Sequence, residues 1–201
     1  MSLETKIKEK ACALGFDLVG ITTADPSAHA AFFKQWLADG RHGEMAYLAR
    51  RVERRANPVL LLPGAKSFVV VAMNYHAALS PSTSVQGRIA RYALGDDYHL
   101  VIEQKLAALI ETIRALAPGA QAKACVDIAP ILERELAQRA GLGWIGKNTM
   151  LLHRRFGQWL LLGEILLDVA LQPDAPMTRN YCGSCARCMD ACPTRAILAP
   201  R

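Results

Sequence analysis

Ser67-Phe-Val-Val-Val-Ala-Met-Asn74 is an apolar run the length of one strand, with a block of valines at its centre. β-branched side chains suit a pleated backbone, and an unbroken apolar run marks a strand covered on both faces. Such a strand requires further layers of structure above and below it.

The flanking sequence supplies them. Leu3, Ile7, Ala11 and Leu14 recur at helical spacing, and Gly15 ends that helix. Phe16 to Thr22 reads as a strand before an Asp25-Pro26 turn. Ala30 to Asp39 is an expected helix with Phe33, Trp36 and Leu37 on one face and Gly40 as its stop. Glu44 to Arg55 is a second, with Met45, Leu48 and Val52 on one face and Arg50, Arg51, Arg54 and Arg55 on the rest. Pro58 and Pro63 bracket a connector. Beyond the valine run, Leu79 to Gly87 is a Ser/Pro/Gly loop. Asp97 caps a long helix to Leu116, with Ile102, Leu106, Leu109, Ile113 and Leu116 on its core face. Ala122 to Asp127 is a strand, and Pro130 to Ala140 a helix stopped by Gly141. Thr149 to Leu152 and Gln158 to Leu167 read as a hairpin around Arg154 to Gly157. This alternation predicts an α/β fold, a layered mixed sheet with flanking helices. From about Pro173 the texture turns to proline, glycine and cysteine. Residues 1–172 are therefore expected as one α/β domain and 173–201 as a small metal-held module.

The 201 residues suffice for one core and a small satellite, and 52% hydrophobic against 21% charged residues makes a globular chain. A net charge of +6 is compatible with a polyanionic partner such as RNA but does not require one. Met1 to Lys10 is charged and amphipathic, with no secretory h-region. The most apolar stretch, Trp159 to Leu171, is broken by Glu164 and Asp168 and is too short to span a bilayer. The expected compartment is the cytoplasm.

In a reducing compartment, crowded cysteines point to metal rather than disulfides. Cys182-Gly-Ser-Cys185-Ala-Arg-Cys188-Met-Asp-Ala-Cys192-Pro193 has the ferredoxin spacing, in which three thiolates hold one iron–sulfur cluster and the fourth ligates another. A zinc knuckle is the competing reading, although structural zinc sites usually pair their ligands differently. The remaining cysteines, Cys12 and Cys125, lie in apolar segments and are expected in the core. A second cysteine run is therefore missing, and the chain is expected to be the N-terminal portion of a longer protein.

Three further groups of residues invite chemistry. Asp127 ends a strand just before a helix, where it either faces a ligand crevice as a general acid or caps that helix. Gly141-Leu-Gly-Trp-Ile-Gly146-Lys-Asn148 permits close backbone approach but lies between helix and strand, the wrong order for a dinucleotide fingerprint. Arg91-Tyr92-Ala-Leu-Gly-Asp-Asp97-Tyr98-His99 mixes cation, aromatics and imidazole, as phosphate contact and base stacking require. Arg50 to Arg55 forms either a phosphate-contacting or a simply solvated helix face.

Together these segments resemble the epoxyqueuosine reductases, enzymes of the last step of queuosine synthesis in tRNA. The matching pieces are Leu60-Leu-Leu-Pro-Gly-Ala-Lys66-Ser67, Arg91 to His99, Val126-Asp127-Ile-Ala-Pro-Ile-Leu-Glu-Arg134, Arg139 to Asn148 and the cysteine run. The resemblance implies kinship with the cobalamin-dependent reductive dehalogenases, a base-off cobalamin, two [4Fe–4S] clusters and removal of the epoxide oxygen at the tRNA wobble position. It makes Asp127 the proton donor within the cobalamin site and Cys182, Cys185, Cys188 and Cys192 cluster ligands. Arg55, Asn148, Leu151 and Leu162 fall where the family lines its cobalamin, and Arg91, Tyr98 and His99 match a motif near the substrate. The implied partners are tRNA carrying epoxyqueuosine and an unidentified electron donor, for a monomer with no membrane contact. Members continue past a second cysteine run, so this chain is expected to be truncated. The alternatives are a reductive dehalogenase-like enzyme, a non-catalytic iron–sulfur electron-transfer module and a zinc-stapled RNA-binding protein.

Overall fold

The computed structural model describes residues 1–77 and 89–198. The loop expected over Leu79 to Gly87 lies outside the described residues. The elements are α1 (Leu3–Ala13), β1 (Leu18–Thr23), α2 (Ala30–Ala38), α3 (Val52–Ala56), β2 (Ser67–Asn74), α4 (Tyr98–Leu116), β3 (Ala122–Cys125), α5 (Glu133–Arg139), β4 (Trp144–Ile145), β5 (Leu151–Leu152), β6 (Leu160–Leu167) and α6 (Arg187–Asp190). Short 3-10 turns cover Ala46–Ala49, Pro58–Leu60 and Arg91–Ala93.

The valine run is a central strand, as its composition predicts. β2 lies between β1 and β6 in a sheet of order β1-β2-β6-β3, and Phe68 to Ala72 are wholly buried. Residues alternate between two apolar clusters. Val69 and Val71 join Ile165 and Leu167 beneath α1 and α4, through Ile7, Ala11, Ile102, Leu106 and Ile113. Phe68, Val70 and Ala72 join Leu166 on the other face, beneath Leu136 and Ala137 of α5 and Leu151 of β5. Glycines set the approach of both layers. A Cβ at Gly163 would stand 2.7 Å from Ile102 Cγ2, and one at Gly20 would collide with the Ala140 carbonyl oxygen. Helix α4 and the end of α5 therefore rest directly on strand backbone.

The layered α/β expectation holds, with four corrections of detail. All pairings in the sheet are antiparallel, so strand direction is not mixed. The helix expected over Glu44 to Arg55 is broken, since Arg51 adopts a left-handed φ of 57° between the 3-10 turn and α3. Like charges at Arg50/Arg54 and Arg51/Arg55 would oppose one another across each turn of a continuous helix. The expected hairpin is also absent. Leu151–Leu152 pairs with Trp144–Ile145 in a small sheet of its own, while β6 leaves to pair with β2 and β3. Only a His153–Gly157 bridge remains where the hairpin was expected. Finally, Cys125 is buried but Cys12 is exposed, one position past Ala11 and so rotated off the core stripe of α1.

The cysteine segment is tied to this body. Asp174 receives the Ile21 N–H at 2.8 Å and returns its own N–H to the Ile21 carbonyl at 2.9 Å. Gln138 and Met177 exchange a further pair of hydrogen bonds.

Candidate functional site

Helix α4 starts where Asp97 accepts the His99 N–H at 3.0 Å, the predicted cap. That cap places Tyr98 and His99 side by side, rings stacked with centroids 4.0 Å apart. Both reach one carboxylate. The Tyr98 hydroxyl donates to Asp127 Oδ2 at 2.8 Å, and His99 Nε2 lies 3.1 Å from the same oxygen. His99 Nδ1 is held by Asp97 at 2.7 Å. The Asp97 hydrogen bond, reinforced by Asp127, raises the His99 pKa and favours imidazolium. Burial raises the Tyr98 phenol, with the Asp127 hydrogen bond adding to it, so the hydroxyl stays a donor.

Asp127 does not cap α5, whose flanking Leu132 makes no side-chain cap. Instead it holds a left-handed φ of 48°, a conformation uncommon outside glycine. Its side chain is 54% exposed, so a large partner can reach it. Of the two roles left open by sequence, the structure excludes the cap of α5.

The other expected residues lie around this carboxylate with differing closeness. Arg91 is joined to the group through neighbouring Tyr92, whose ring meets Tyr98 edge-on at 6.3 Å, while its own guanidinium stacks over Trp159 at 5.0 Å. Arg55 donates to the Ile131 carbonyl at 3.5 Å, and its Nε is buried without a partner among the described residues. Leu151 and Leu162 belong to the apolar face under α5, the face that also holds Cys125 just before Asp127. Asn148 donates to Gln158 at 2.8 Å and receives the Met150 N–H, at the turn leading into Leu151. Apolar side chains, the unpartnered Nε of Arg55 and the Asn148 amide fit a broad apolar ring fringed with amides, which is the chemistry of cobalamin. A cavity of about 310 Å³ between Leu18 and Ala175 holds none of these residues.

The four C-terminal cysteines are free thiols. Hydrogen bonds from Thr194 and from the Ala196 and Ile197 N–H groups bring the Cys192 thiol down to about 7, as a thiolate ligand needs. The donor set thus fits a soft metal in kind, but no three His, Cys, Asp or Glu side chains among the described residues are grouped around a metal position. Among the described residues, no helix is long and apolar enough to cross a membrane.

Three participants escape a reading of local pattern. Lys147 of the glycine-rich turn donates to the Gly183 and Cys185 carbonyls at 2.8 and 2.9 Å, clamping the cysteine segment. Glu133 opens α5 with its Oε1 buried, and Glu164 is wholly buried opposite Cys125 in the β3–β6 register. Glu164 carried a visible signal, as the lone charge inside Leu160-Leu-Leu-Gly-Glu-Ile-Leu-Leu167.

Residues 55–128 match the family model described as epoxyqueuosine reductase QueG, DUF1730. An epoxyqueuosine reductase from Pseudomonas aeruginosa is 40% identical over 98% of this chain and 56% of its own length. The structure of epoxyqueuosine reductase from Streptococcus thermophilus superposes with a TM-score of 0.91 at 30% identity, covering 100% of this chain and 55% of that one. An epoxyqueuosine reductase crystallised with an epoxyqueuosine-modified tRNA-Tyr stem loop gives 0.87 at 31% identity, covering 98% and 53%. A reductive dehalogenase described as B12-dependent shares the fold at a TM-score of 0.58 and 20% identity, covering 87% and 20%. The chain spans just over half the length of the curated relatives it matches.

Proposed function

The chain belongs to the epoxyqueuosine reductase family over the span they share, and on that premise we propose that it forms the cobalamin-binding part of an enzyme reducing epoxyqueuosine to queuosine at the tRNA wobble position. The observation that carries this reading is the single carboxylate of Asp127, exposed at the end of β3 with Tyr98 and His99 both on its Oδ2. Converting an epoxide to an alkene takes two electrons and two protons and releases water. Cobalamin would supply the reducing centre when bound; Cys182, Cys185 and Cys188 would hold one [4Fe–4S] cluster and Cys192 would give one ligand to a second, to bring electrons from a separate donor.

The protein's own part is position and protons. Asp127 delivers a proton to the departing oxygen. Tyr98 and His99 hold its carboxylate in one orientation, so the acid does not have to find its geometry during the reaction. Arg55, Asn148, Leu151 and Leu162 hold the cofactor against the face under α5. Arg91 and the neighbouring aromatics receive the tRNA anticodon arm through phosphate contact and stacking. In this arrangement residues 1–172 form the catalytic part and 173–201 a cluster module of a cytoplasmic monomer. A reductive dehalogenase-like activity would need no RNA, so a salt-dependent tRNA mobility shift discriminates against it.

The test is anaerobic turnover on tRNA carrying epoxyqueuosine, read by mass analysis of released nucleosides. Asp127→Asn should leave tRNA and cobalamin binding intact and lower turnover by about a hundredfold or more, the usual share of a general acid. Undiminished turnover in Asp127→Asn removes the assignment.

A further inference from the structure

Each turnover places two protons on one oxygen, and Asp127 carries only one. We propose that Glu133 is a proton store that recharges Asp127 within the turnover, with Glu164 as a second buried acid that keeps its own proton. The inference rests on Asp127 being the donor.

Three observations of geometry place the pair. Glu133 opens α5, and the backbone N–H of Asp127 interacts with its carboxylate, so the store adjoins the donor. Glu133 Oε1 is buried with no partner among the described residues. Glu164 sits opposite Cys125 in the β3–β6 register, beneath the strand end that carries Asp127. It is 0% exposed, and neither of its carboxyl oxygens has a partner among the described residues. A buried carboxylate without partners is expensive, and the fold avoids the cost by keeping the proton on.

The surrounding charges agree. Arg55 of α3 and Arg134 of α5 favour ionised Glu133, while Asp127 opposes it and burial outweighs both cations, bringing the carboxyl up to about 7. Glu133 and burial hold Glu164 well above the usual carboxylate range. Tyr98 and Cys125 are further titratable groups that face the pair among the described residues. A carboxyl poised near neutrality is half-loaded at working pH and transfers its proton at little cost.

In the step, the O–H bond of Glu133 breaks and an O–H bond forms on the Asp127 carboxylate left by the first transfer. Glu133 remains as a carboxylate near Arg55 and regains its proton from solvent. No electrons move; those of the overall reduction come from an external one-electron donor. Glu133 is thus a positioning residue that acts through Asp127.

Two measurements test it. The first needs no cofactor: carbon-13 NMR titration of glutamate side-chain carboxyls in the chain. Glu133 should titrate near neutrality, and its midpoint should fall in Asp127→Asn, where a neighbouring charge is gone. A Glu133 midpoint in the ordinary glutamate range overturns the proposal. The second is single-turnover reduction by the holoenzyme across pH. Glu133→Gln should lower the rate about tenfold or more and remove the neutral inflection, while Glu133→Asp restores part of both. An unchanged rate and profile in Glu133→Gln overturns the store alone, provided Asp127→Asn is inactive. Normal turnover in Asp127→Asn overturns the parent assignment instead.

Discussion

Replacing Glu164 with glutamine should make the protein's stability depend less on pH. The amide keeps the shape of the protonated acid and cannot ionise. In the folded chain the Glu164 carboxyl is wholly buried, without partners among the described residues, and held well above the usual glutamate range by burial first and Glu133 second. In the unfolded chain it titrates near its ordinary value of about 4.3. Between those two values the folded state binds one more proton than the unfolded state, so stability falls as pH rises. Each such group contributes about 1 kcal/mol per pH unit. Titrations that do not feel Glu164, including His99, are common to both proteins and cancel in the difference. Glu164→Gln should therefore gain on the parent by about 1 kcal/mol for every unit between about pH 5 and pH 7. Urea unfolding midpoints at several pH values measure this, provided the urea slopes of the two proteins match. A stability difference that stays constant across the range would refute the reasoning, because Glu164 would then carry no displaced proton.

Other substitutions follow from the packing. Gly20→Ala drives a methyl into the Ala140 carbonyl, a backbone atom that cannot swing aside, and should cost about 2 kcal/mol or more by denaturant unfolding. Lys147→Ala removes both clamps on the cysteine loop; at about 1 kcal/mol, amide exchange near Gly183 and Cys185 should quicken about fivefold while exchange in β2 is unchanged. Tyr98→Phe leaves the stack on His99 but removes one of two donors to Asp127, and should lower turnover more than it weakens tRNA binding, read as a split between kcat and KM.

The sequence exposes the parts of this fold whose signals are local. The valines of β2 specify a strand buried on both faces, Asp97 specifies the start of α4, and both lie where their chemistry puts them. The path of β6 was not legible, because a strand's partner is decided by sheet packing rather than by its neighbours in the chain. Leu151–Leu152 lies next to β6 in sequence yet pairs with Trp144–Ile145. Asp127, Tyr98 and His99 were legible as candidates, since each sits at an element end with chemistry in excess of what the element needs. Their convergence on one oxygen depends on the distance between the head of α4 and the end of β3, which no local pattern encodes. Glu133 was hidden because an acid in the first turn of a helix is ordinary capping composition. Only the burial of its Oε1, without a partner among the described residues, makes it unusual.

The proposed corrinoid site next to Asp127 is built from this chain's own residues. Anaerobic titration of the protein with cobalamin, followed by its visible spectrum, measures its formation. A saturable shift to the base-off spectrum that Arg55→Ala weakens is the expected result. A spectrum that stays that of free cobalamin at every protein concentration would remove the site.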